Sequence, residues 1–152
     1  MKNILFVCTG NSCRSVMAEA LFRKVTTHRP DDFSIHSAGI SALDGYQATR
    51  ETFEVMAAYG ADISDHRSQH LTEEMVRDSD KIFVMERLHK DWILRLVPEA
   101  EPKVQLLSEF ASKGSQNHED IDIPDPIRMS DQFYKNVAVV IHDCVKNIAK
   151  TL

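Results

Sequence analysis

Three cysteines, Cys8, Cys13 and Cys144, are all that the 152 residues contain. So small and odd a set excludes a secreted disulfide scaffold, in which even numbers of cysteines staple a small core. It fits a reducing, cytoplasmic setting, where each thiol is a question of reactivity and not of crosslinking. No run of eighteen apolar residues occurs, so no membrane-spanning helix is expected. The apolar stretch near the N-terminus is short and lacks a small-residue cleavage site, so no signal peptide is expected. Lysine and arginine (18) are outnumbered by aspartate and glutamate (23), and the net charge of −5 argues against a nucleic-acid partner. Repeats and low-complexity segments are absent.

What remains is an ordinary globular composition, 43% apolar and 27% charged. The length suits one domain spanning 1–152 that buries roughly two thirds of its unfolded surface. Ile4-Leu5-Phe6-Val7 is an unbroken apolar run, the mark of a parallel strand covered on both faces. Phe33 to Ser37 alternates as a second strand, Ile82 to Met85 is a third, and Val104 to Leu107 a fourth.

Between the strands the spacing turns helical. Met17, Ala18, Leu21, Phe22 and Val25 share a face of a helix beginning near Ser15. Thr49 to Tyr59 puts Thr52, Phe53, Met56 and Ala57 on one side, with Gly60 as a stop. Thr72 is placed to cap a short helix, and Leu88 to Leu96 forms another before Pro98. Phe133, Val137, Ile141, Cys144 and Ile148 stripe a long last helix, so Cys144 is expected in the core. Ser112 to Ser130 reads as a long polar loop. Alternating strand and helix predict an α/β fold: a four-stranded parallel sheet with helices on both faces.

In such sheets ligands sit beyond the carboxyl ends of the strands. Val7-Cys8-Thr9-Gly10-Asn11-Ser12-Cys13-Arg14-Ser15 occupies that place after the first strand. A loop this short can curl so that successive backbone N–H groups converge into an anion-binding nest, with Gly10 easing the turn. The positive end of the following helix and the forked guanidinium of Arg14 add to the grip. That field also favours the thiolate of Cys8, which is then a nucleophile at the floor of a phosphate cradle. Leaving-group chemistry needs a proton donor, and Asp125, stiffened between Pro124 and Pro126, is the candidate. Glu119, Asp120 and Asp122 lie close in sequence, and their like charge favours the protonated acid. His66 and His70 have the spacing of a zinc pair on a helix, but no third ligand accompanies them. Neither a metal nor a cofactor is expected.

The loop, with Met17-Ala18-Glu19-Ala20 after it, resembles the signature of the low-molecular-weight protein tyrosine phosphatases. The likeness extends to Ser37-Ala38-Gly39, to His66 with Arg67 and Gln69, and to Asp125-Pro126. It implies phosphotyrosine hydrolysis in a protein substrate through a phosphocysteine on Cys8, with Arg14 binding phosphate and Asp125 as general acid and base. It also implies that Thr9, Gly10, Asn11, Ser12, Cys13 and Ser15 line the phosphate site, with Ser15 donating to Cys8. Ser37 and His66 would brace Asn11. A protective Cys8–Cys13 disulfide on oxidation is a further implication.

Three departures bear on specificity. Ser12 stands where tyrosine-specific members often carry a bulky aliphatic residue. Leu43 is near a wall position commonly aromatic, although Tyr46 is close. Ile127 and Arg128 follow Asp125-Pro126 where an aromatic or a glycine pair is usual. A related branch acts on phosphoarginine and has a threonine at the place of Ser12, which makes arginine phosphatase the second reading. Arsenate reductases share the cradle but require further cysteines, and Lys81 to Asp91 holds none. A non-catalytic anion or redox switch has no need of a proton donor such as Asp125.

Overall fold

The computed structural model describes residues 1–113 and 122–152. Four parallel strands, β1 (Lys2–Cys8), β2 (Phe33–Gly39), β3 (Lys81–Val84) and β4 (Val104–Leu106), form one sheet in the order β2-β1-β3-β4. β1 lies between β2 and β3, with Cys8 opposite Gly39 and Val7 opposite Val84. The helices are α1 (Arg14–Val25), α2 (Arg50–Ala58), α3 (Glu73–Asp78), α4 (Arg87–Leu96) and α5 (Asp131–Thr151).

The continuous apolar run in β1 is explained by cover on both sides. Ile4, Phe6 and Cys8 point into a core shared with α1 and α5. Leu5 and Val7 point into the opposite core, with Val76 of α3 and Ile93 of α4. Phe6 is the hub of the first core: Phe22 meets it edge-on and Phe83 stacks on it, each with ring centroids 5.7 Å away. Burying each of these rings contributes about 2–3 kcal/mol. Because side chains alternate along a strand, the same register that buries Phe6 puts Cys8 on the α1 side.

Several local expectations need correction. Phe53 and Ala57 of α2 face solvent, Phe53 being 44% exposed, and Val55 packs inward with Thr52 and Met56 instead. A helix of nine residues turns enough that a stripe assigned one position off misplaces its edge. Leu107 begins a 3-10 turn rather than ending β4. The residues from His66 to His70 are not helical, so the i, i+4 spacing of these two histidines does not place them on one helix face. Among the described residues no three His, Cys, Asp or Glu side chains gather as a metal site. No described helix is long and apolar enough to cross a membrane.

Candidate active site

β1 ends at Cys8 and α1 starts at Arg14, so the loop between them sits at the carboxyl edge of a central strand. Three of the other helices are closed by the side chains of their N-caps: Thr49 on α2, Thr72 on α3 and Ser130 on α5. The N-cap of α1 is Cys13, which makes no side-chain capping bond. Its first amides therefore remain for another acceptor. Among the described residues, the amides of Thr9, Gly10, Ser12 and Cys13 likewise donate to no acceptor, whereas that of Asn11 reaches Cys8 Sγ at 3.3 Å. Unfilled donors curled around one point are an anion cradle.

Asn11 holds the loop's shape. It adopts the left-handed conformation, φ 52°, which asparagine tolerates better than most residues. Fully buried, it has every polar group satisfied. Nδ2 donates to Ser15 Oγ at 2.8 Å and to Ser37 Oγ at 2.9 Å. Oδ1 accepts the Gln69 amide at 3.0 Å, and the carbonyl accepts from His66 Nε2 at 2.9 Å. Ser15 Oγ accepts from Asn11 and lies 2.9 Å from Cys8 Sγ, where its hydroxyl can donate to a thiolate. Ser37 in turn donates to Glu19 Oε1.

Gly39 lets this loop approach the sheet. A side-chain carbon there would stand 2.5 Å from the Thr9 carbonyl oxygen and 2.8 Å from the Asn11 nitrogen, closer than such atoms pack.

Arg14 is 1% exposed, an unusual state for a guanidinium, and it is fastened from one side. Nη1 donates to Glu86 Oε2 and to the Ile123 carbonyl at 2.7 Å. Nε and Nη2 donate to no described acceptor, which leaves two prongs for an anion. Asp125 Oδ2 lies 3.7 Å from Nη2, and Asp125 Oδ1 accepts the Ile127 amide at 3.1 Å, which ties the carboxyl to its own loop beside Arg14. Of the acidic neighbours expected around Asp125, only Asp122 lies among the described residues. Asp122 accepts the Arg87 amide at 2.8 Å, and Glu119 and Asp120 lie outside the described residues. Among the described residues, Arg14 is the charged group within 4 Å of Asp125.

Cys13 is buried, its sulfur 3.6 Å from both Thr49 Oγ1 and Tyr134 Oη. It and Cys8 are free thiols. Cys144 is wholly buried on α5, and burial pushes its thiol up to about 12. The residues read as a specificity wall are on exposed loops. Leu43 and Tyr46 are 70% and 62% exposed and are held through Ser68, next to the Gln69 that meets Asn11. Ile127 and Arg128 follow the acid, Arg128 with φ 65°. Ser12 is half-buried, and its carbonyl accepts the Thr49 amide at 3.2 Å.

Two residues escaped the sequence reading, Glu86 and His89. An acid directly past a buried strand, on the edge where ligands sit, was the available signal for Glu86. His89 had none, because the side chain it meets, Thr9, is distant in sequence. Its ring is fully buried, and burial, with Arg14 adding to it, depresses its pKa from 6.5 to about 4. The unfolded chain therefore takes up this proton first on acidification. The stabilising contribution is complete above the unfolded value of 6.5 and is lost as pH falls towards 4. It amounts to about 3 kcal/mol. The urea midpoint should fall across that window, and His89→Gln should flatten the fall. An unchanged slope in the variant would refute it.

Residues 3–152 match the family described as low molecular weight phosphotyrosine protein phosphatase. This chain belongs to that family. The probable low molecular weight protein-tyrosine-phosphatase EpsP of Ralstonia solanacearum is 40% identical over 141 residues, 93% of this chain and 89% of that protein. The low molecular weight protein tyrosine phosphatase of T. tengcongensis superposes with a TM-score of 0.89 at 35% identity, all of both chains being covered. The YwlE arginine phosphatase, solved as a cysteine-to-serine mutant with a phosphorylated active-site serine, gives 0.88 at 32% identity, covering 99% of this chain and 95% of that one. The phosphatase fold of this family thus accounts for the whole sheet and both helical layers.

Proposed function

We propose that this family member is a protein-tyrosine phosphatase that works through a phosphocysteine on Cys8. The observation that carries the reading is the buried Cys8 sulfur, held by Ser15 and the Asn11 amide at the floor of the cradle that Arg14 closes. Cys8 Sγ attacks phosphorus, an S–P bond forms and the bond to the tyrosine oxygen breaks. Asp125 gives that oxygen its proton. Water then attacks phosphorus while Asp125 takes the water's proton, the S–P bond breaks, and phosphate leaves with the thiolate restored. Arg14 and the loop amides hold the three equatorial oxygens throughout, which is where charge accumulates. No step requires a metal or a cofactor. The partner is a phosphorylated protein, and the three free thiols support a reducing, cytoplasmic location.

Phosphoarginine is the second reading, and Ser12 is the residue that favours it. A hydroxyl in the loop suits a polar guanidinium and an attacking water better than the aliphatic side chain of tyrosine-specific relatives. The YwlE relative is an arginine phosphatase by name.

One kinetic series tests the proposal, using phosphotyrosine and phosphoarginine peptides without added metal. The phosphotyrosine peptide is expected to give the larger kcat/KM, widened by Ser12→Ile and narrowed by Ser12→Thr. Asp125→Ala should slow a poor phenol leaving group about 100-fold and an activated one much less. A larger kcat/KM on phosphoarginine would transfer the assignment to the second reading.

A further inference from the structure

His89 lies one turn into α4, on the same turn whose first carboxylate, Glu86, holds Arg14. Its Nδ1 accepts the Glu86 backbone N–H at 3.0 Å, so that nitrogen carries no proton. The ring, buried beside Arg14, is neutral at physiological pH. Its single proton is therefore on Nε2, which donates to Thr9 Oγ1 at 2.9 Å. A hydroxyl can accept two hydrogen bonds and donate one. Thr9 thus accepts from a donor that cannot reverse, and its own proton reaches no acceptor among the described residues. Thr9 is the residue after the nucleophile and is only half-buried. An unspent donor on a residue of the cradle is worth most to a group that gains negative charge during reaction.

We infer that the Thr9 hydroxyl donates a hydrogen bond to a phosphoryl oxygen during formation and breakdown of the phosphocysteine, and that His89 is the positioning residue that aims it. Thr9 keeps its proton, so no bond is made or broken at that oxygen. One turn of α4 then serves both ends of the loop, Glu86 through Arg14 and His89 through Thr9. The inference rests on Cys8 being the nucleophile.

The test compares Thr9→Val, which keeps the shape and deletes the hydroxyl, with Thr9→Ser and with His89→Leu. The readouts are kcat on an aryl phosphate, competitive inhibition by inorganic phosphate, and the urea midpoint. Thr9→Val should lower kcat about tenfold and weaken phosphate inhibition by a similar factor. Thr9→Ser should restore both, and His89→Leu added to Thr9→Val should cost no further activity. A Thr9→Val protein with a lower urea midpoint but unchanged kcat and inhibition would overturn the inference, because the contact would then serve stability alone. A second measurement needs no substitution: the His89 Nε2–H resonance of the wild-type protein should shift on titration with inorganic phosphate, since a hydroxyl engaged as donor becomes a better acceptor. A resonance that stays fixed while phosphate binds would equally overturn it. Hydrolysis retained by Cys8→Ser would sink the nucleophile reading itself, whereas an inactive Cys8→Ser beside a fully active Thr9→Val would sink the Thr9 inference alone.

Discussion

Cys8→Ser should lose at least about 10⁴-fold in turnover while remaining folded and still binding phosphate. The change is nearly isosteric, and Ser15 and the Asn11 amide would meet an oxygen almost where they now meet sulfur. What changes is chemistry. Donors that stabilise a thiolate do not ionise an alcohol at neutral pH, so attack slows. An alkoxide is also a far poorer leaving group than a thiolate, so the second step slows even more. The variant should therefore accumulate one covalent phosphate per chain, visible by intact mass after incubation with a phosphotyrosine peptide. Normal turnover by this variant would remove Cys8 from the mechanism.

Arg14→Lys should cost about 10²–10³-fold in kcat/KM with the charge retained. Arg14 uses Nη1 on Glu86 and the Ile123 carbonyl, leaving the other two nitrogens for the substrate. A lysine ammonium placed to satisfy Glu86 has no second prong to offer, and one placed under the phosphoryl group abandons a carboxylate that is itself mostly buried. Loss of a partner at so sheltered an ion pair is destabilising, so a lowered urea midpoint should accompany the kinetic loss. Kinetics within a few-fold of wild type would show that the guanidinium's two-pronged geometry is not used.

How much of this was legible beforehand depends on how local each feature is. The strand-loop-helix unit from Ile4 to Val25 could be read directly, because an unbroken apolar run, a turn and a helical stripe are all properties of neighbouring residues. The edges of α2 were less legible. Phe53 carries an apolar side chain that the periodicity assigns to the core, yet it is exposed. Only the packing of α2 on its neighbours decides which side of a nine-residue helix is covered. His66 shows the same limit from the other direction. Its spacing from His70 would suit a metal pair only on a helix, but its chain is not helical and its ring meets the Asn11 carbonyl.

The order of residues alone determined that a sulfur, a run of amides and a guanidinium would share one short loop at the end of a buried strand. Those groups are covalent near-neighbours, and no fold that buries Ile4 to Val7 can separate them far. Tertiary structure decided everything that comes to the loop from elsewhere: Glu86 on Arg14, His89 on Thr9, and Gln69, His66 and Ser37 around Asn11. Their hydrogen bonds span tens of residues, and such contacts exist only after the parallel sheet has set the register that puts Cys8 beside Gly39.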